Sequence, residues 1–77
     1  MRVYINGESR DVQGTASLAE LITQLDLPAG RIAVELNREV VRRSEWSRAM
    51  LRDEDRIEIV HFVDGGQPQL ATKRHKS

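Results

Sequence analysis

An α+β fold, with a mixed sheet of four to five strands packed on one helix, follows from three observations in this 77-residue chain. Residues 2–12 hold two strand-like stretches joined by Asn6-Gly7. Residues 17–25 hold an apolar stripe at helical spacing behind a capping signal. Residues 31–36 and 56–62 hold two further runs of strand character. A hairpin, a helix and then more strands argue for one sheet with the helix on one face.

Each element has its own local reason. Arg2-Val3-Tyr4-Ile5 alternates polar and apolar, which places Val3 and Ile5 on the core face. Asn6-Gly7 tolerates the positive φ angles of a two-residue type I′ turn. Residues 8–12 return as a polar edge strand, closed by Gly14. Ser17-Leu18-Ala19-Glu20 is a capping box. Leu18, Leu21, Ile22 and Leu25 follow at i, i+3, i+4 and i+7 as one buried stripe, and Pro28 and Gly30 are expected to end the helix. Residues 31–36 read as a buried, central strand. Asn37-Arg38 turns the chain into a short strand at Glu39-Val40-Val41. Ser44 is expected to cap a single helical turn carrying Trp46. Trp46 reads either as a lid over one end of the core or as a hot spot for a partner. Asp53-Glu54-Asp55 is an acidic turn, solvated and at most a weak cation binder. This order, without repeats, is the arrangement called a β-grasp, in which right-handed crossovers bring the first and last strands together at the centre.

Composition bounds the function. Residues 1–66 carry nine arginines, no lysine and twelve carboxylates, a net charge of −3, and Lys73, Arg74 and Lys76 restore neutrality. A mildly acidic body argues against nucleic acid as the partner. No cysteine is present, which excludes disulfides and thiol chemistry and fits a cytoplasmic setting. No apolar run approaches the roughly 20 residues needed to cross a bilayer. His61 and His75 have no cluster of catalytic partners around them, and His61 reads as a strand residue at the core edge. No glycine-rich phosphate loop occurs.

The last strand carries the functional expectation. Ile57, Ile59 and His61 face one side, and Glu58, Val60 and Phe62 the other. The strand runs into Val63-Asp64-Gly65-Gly66, whose two glycines lack a Cβ and fit where no side chain would. Such a tip suits presentation to another protein's active site. Eleven residues, 67–77, follow it; they have little to bury and are expected to be disordered.

These residues together resemble the thiamine-biosynthesis sulfur carriers, a family of small ubiquitin-like proteins of β-grasp fold. The resemblance spans 1–66 and rests on Ile5-Asn6-Gly7, Leu18 through Leu25-Asp26, Ala33-Val34-Glu35-Leu36-Asn37, Val41-Arg42 with Trp46, Asp53-Glu54-Asp55-Arg56-Ile57-Glu58-Ile59 and Gly65-Gly66. The family usually has Gly where Glu54 stands. The related molybdopterin carriers typically have prolines before the Gly-Gly, where this chain has Val63-Asp64, which favours the thiamine branch.

The resemblance implies a protein substrate without a catalytic site or metal of its own. Gly66 is then the point of adenylation and sulfur attachment, with Gly65 and Gly66 as the C-terminal arm. ATP and Mg²⁺ belong to a partner adenylating enzyme of the ubiquitin-activating type, and thiazole synthase receives the sulfur. Glu58, Val60, Phe62 and Asp64 are the candidate partner contacts. Because Gly66 is joined to Gln67, the carrier reading requires cleavage after Gly66, typically by a JAMM-type metalloprotease. Residues 67–77 as an addition to the reading frame, and a non-carrier that kept the fold, are the competing explanations. Carriers for molybdopterin, tRNA thiolation or cysteine synthesis, and a β-grasp interaction module, are the rival functions. No nucleic acid and no membrane is expected as a partner.

Overall fold

The computed structural model describes residues 1–14 and 16–62, and the backbone of 68–70. Strand β1 (Arg2–Ile5) and strand β2 (Glu8–Asp11) pair antiparallel with Ile5 opposite Glu8. Asn6 and Gly7 between them have φ angles of 50° and 86°, the left-handed pair that a type I′ turn requires. All of β2 is exposed, as its polar sequence predicts for an edge.

Helix α1 (Leu18–Gln24) begins with the expected capping box: the Glu20 N–H donates to Ser17 Oγ at 3.2 Å, and the Ser17 N–H donates to Glu20 Oε1 at 3.1 Å. Its end differs from expectation. The Leu27 N–H donates to the Ile22 carbonyl at 3.3 Å and the Asp26 N–H to the Thr23 carbonyl at 3.0 Å, with Asp26 at φ 57°. This is a Schellman closure with Asp in the position that glycine usually fills. The helix therefore stops before Pro28 and Gly30, and Ala29–Arg31 form a separate 3-10 turn.

Strand β3 (Ile32–Leu36) and strand β4 (Glu39–Val41) form a second hairpin across Asn37-Arg38, at φ 52° and 73°. The following 3-10 turn, Arg43–Glu45, is capped by Arg42 without any side-chain hydrogen bond, so Ser44 lies inside the turn and does not cap it. Trp46 is 4 % exposed, and its Nε1–H donates to the Val41 carbonyl at 2.9 Å. Of its two readings, the core lid holds, with the indole N–H satisfied by main chain.

Strand β5 (Arg56–Phe62) completes a five-strand path in the order β2-β1-β5-β3-β4. Its parallel pairing with β1 puts first and last strands side by side, as the crossover argument predicts. The core of buried apolar residues draws on every layer: Val3 from β1, Leu18, Leu21 and Ile22 from α1, Ile32 and Val34 from β3, Ile57 and Ile59 from β5, with Val12, Trp46 and Leu51 at its margins. Each such aliphatic side chain contributes about 1.5–3 kcal/mol by leaving water.

One strand was not anticipated. Pro68–Leu70 forms strand β6, antiparallel to β5, with Val60 opposite Leu70, His61 opposite Gln69 and Phe62 opposite Pro68. The expected disorder of 67–77 does not hold for these three residues. β1 turns away after Ile5 and pairs with β5 only at Arg56 and Ile57, and the Asn6 side chain takes the Ile59 main chain, so beyond Ile59 that β5 edge is open to another strand.

Candidate protein-docking site

β5 is held in place by two turn asparagines. On the β1 side, the Asn6 N–H donates to the Ile57 carbonyl at 2.8 Å. The Ile59 N–H donates to Asn6 Oδ1 at 2.8 Å, and Asn6 Nδ2 donates back to the Ile59 carbonyl at 3.3 Å. On the β3 side, the Arg56 N–H donates to Asn37 Oδ1 at 2.9 Å, and the Asn37 N–H donates to the Arg56 carbonyl at 2.7 Å. Sequence reading assigned both asparagines to turns alone. Their turn chemistry was the available signal; the strand they grip lies far along the chain.

The acidic turn is structural. Asp53 Oδ1 accepts the Arg2 N–H at 2.7 Å, and Glu54 Oε1 accepts the Tyr4 hydroxyl at 3.1 Å. Asp55 accepts the Arg52 N–H at 2.7 Å and Asn37 Nδ2 at 2.9 Å. Its three carboxylates thus point to different partners in place of converging on one cation. Among the described residues, no group of three His, Asp or Glu is arranged to hold a metal ion.

The alternation of β5 sorts the candidate contacts. Ile57 and Ile59 are buried and His61 half-buried on the helix side, where His61 sits opposite Ile32. Glu58, Val60 and Phe62 share the outer face, half-buried, half-buried and 39 % exposed. Asp64, Gly65 and Gly66 lie outside the described residues. The register adds neighbours that the sequence did not reveal: Ala33 stands opposite Val60, and Glu35 lies between Glu58 and Val40. Val40 is 72 % exposed. Periodicity alone puts Ala33 and Glu35 on one face of their strand; only the pairing joins that face to β5.

This outer face suits docking more than catalysis. Glu35 and Glu58 are directly opposed, an unfavourable arrangement for like charges, and among the described residues neither carboxylate has a hydrogen bond or ion pair. Beside them, the Arg56 guanidinium lies over the Tyr4 ring, 4.9 Å from its centroid. The result is an apolar pair, Val60 and Phe62 on β5, and a separate exposed Val40 on β4, flanking the opposed carboxylates Glu35 and Glu58, which complements a surface carrying cations beside apolar side chains. Among the described residues no helix is long and apolar enough to cross a membrane.

Comparison with known proteins fits this geometry. A model of the ThiS family matches residues 3–66. The sulfur carrier protein ThiS of Thermus thermophilus is 34% identical over 64 residues, covering 83% of this chain and 98% of that protein. The thiazole synthase of Magnetococcus marinus is 36% identical over 67 residues, covering 87% of this chain but 21% of that protein, so the chain spans about a fifth of that relative's length. The crystal structure of the thiamine biosynthesis protein ThiS from Geobacter metallireducens superposes with a TM-score of 0.75 at 32% identity, covering 86% of this chain and all of that one. That likeness extends to a mixed sheet on a single helix, the β-grasp. The chain belongs to the ThiS family.

Proposed function

We propose that this chain is a sulfur carrier for thiazole formation in thiamine biosynthesis, a protein substrate that acts in the cytoplasm. The observation that carries this reading is the family match over 3–66, whose last matched residue is Gly66. A metalloprotease of the JAMM type first hydrolyses the Gly66–Gln67 amide: water adds its oxygen to the Gly66 carbonyl carbon, and the Gln67 nitrogen leaves as an amine. The freed carboxylate is a poor electrophile. In a partner adenylating enzyme its oxygen attacks the α-phosphorus of ATP, and pyrophosphate departs. Mg²⁺ held by that partner offsets the phosphoryl charge. A sulfide-equivalent nucleophile then displaces AMP from the acyl carbon and leaves a thiocarboxylate on Gly66.

The Gly65-Gly66 arm suits this chemistry because a Cβ would obstruct a narrow channel. Glu58, Val60, Phe62 and Asp64 recognise the partners, with Glu35 and Val40 on the same side of the sheet. Thiazole synthase as the receiver of the sulfur is supported by the similarity to segments of two proteins of that name.

The test compares a chain ending at Gly66 with its Gly66→Ala counterpart in ATP–pyrophosphate exchange by the cognate adenylating enzyme. The carrier reading expects exchange with the first and a loss of at least tenfold with the second, at unchanged fold, as for a group that the reacting centre must accommodate. Equal rates, or none with either, favour a β-grasp interaction module.

A further inference from the structure

In a strand, main-chain groups alternate between its two edges. The Arg56 main chain bonds to Asn37 on the β3 side, and the Ile57 carbonyl and both Ile59 groups bond to Asn6 on the β1 side. The N–H and C=O of His61 therefore point to the β1 side, past the end of β1, and lie beyond the reach of Asn6. Their partner in the register is Gln69. Pro68, which has no N–H, stands opposite Phe62, whose own main chain points to β3, so the proline removes nothing from the ladder.

We infer that the β5 edge at His61 is a strand-addition site for an extended main chain, filled in the intact protein by its own residues Pro68–Leu70. An exposed strand edge is a template for such pairing. The occupant is attached through the five residues 63–67, so closing the connection costs little entropy and the local concentration of the strand is high. The consequence rests on the carrier reading. Gly65-Gly66 lies between β5 and β6 in the sequence, so while β6 is paired the Gly66–Gln67 amide is tethered to the sheet on both sides. Cleavage after Gly66 severs β6 from the sheet. One cut then creates the carboxylate and vacates the edge for the extended main chain of an activating partner.

The test uses the full chain and two variants, read by amide hydrogen exchange at His61. Gln69→Pro removes the N–H that bonds the His61 carbonyl, and Gln69→Ala leaves the main chain as it is. Both changes lie outside β1 to β5 and α1, so the fold is retained. The expected result is that His61 exchanges about tenfold faster in Gln69→Pro than in the parent, as for loss of a local opening barrier. Gln69→Ala matches the parent, and Ile59 exchanges alike in all three. Equal His61 exchange in the parent and Gln69→Pro, whether fast or slow, overturns the proposal. This readout needs no sulfur chemistry, so it can fail while the carrier reading stands, and the converse.

Discussion

Asn6 and Ile59, 53 positions apart, exchange two hydrogen bonds in which the asparagine side chain does the work of a β-residue. The same residue supplies the left-handed backbone that starts the type I′ turn. Asn6 thus ends β1 and extends the support of β5 by one further pair.

Replacing Asn6 by Ala removes both bonds and strands a part-buried N–H and carbonyl, at about 1–3 kcal/mol. It also places a Cβ-bearing residue without local hydrogen bonding at positive φ, at about 1–2 kcal/mol. Asn6→Gly loses the same two hydrogen bonds but avoids the positive-φ penalty. Urea denaturation is expected to rank parent above Gly above Ala, with equal losses for Gly and Ala contradicting a backbone contribution.

Glu54 occupies the left-handed region at φ 75°, and its hydrogen bond to Tyr4 is exposed. Glu54→Gly relieves roughly 1 kcal/mol of backbone strain against a small loss at the surface. The variant is expected to melt a few degrees higher, since about 1 kcal/mol is worth some 4–8 °C in a domain this size. An unchanged or lower midpoint would show that the carboxylate outweighs the strain.

Trp46 closes the core and bonds the Val41 carbonyl. Trp46→Ala is expected to cost about 3–5 kcal/mol, a large part of the stability of a domain with roughly 0.05–0.15 kcal/mol per residue. A thermal midpoint lowered by more than about 10 °C is the predicted readout, at roughly 4–8 °C per kcal/mol, and a cost under about 1 kcal/mol contradicts the lid role.

The Glu20 carboxyl is held below its ordinary pKa by the backbone N–H groups of Ala16 and Ser17. A carboxylate whose pKa is lower folded than unfolded stabilises the fold above its ordinary pKa, and that stabilisation is lost as pH falls through the lowered value. Glu20→Gln is expected to flatten the acid side of the stability–pH curve below the ordinary carboxylate range. Parallel curves for parent and variant would remove Glu20 from the acid response.

Most of the architecture was legible because its signals are local. Asn6-Gly7, the Ser17–Glu20 box and the alternation of Ile57 and Ile59 each act within a few residues, and each reappears in the fold. The helix end was misread because Asp26 fills a position usually marked by glycine, so punctuation at Pro28 and Gly30 looked decisive. β6 was invisible because nothing in Pro68-Gln69-Leu70 itself asks for a strand. What recruits it is an open edge left by an early turn at Asn6. For the docking face, three candidate contacts, Glu58, Val60 and Phe62, were readable from alternation, whereas Glu35 and Val40 needed the register. Asp64, Gly65 and Gly66 fall outside the described residues.

Intact-mass spectrometry of the protein isolated from its native cells tests the carrier account most directly. The predicted result is a species ending at Gly66, part of it heavier by the replacement of one oxygen with sulfur. Finding only the 77-residue chain, with no species ending at Gly66 even when the thiamine pathway is induced, would contradict it.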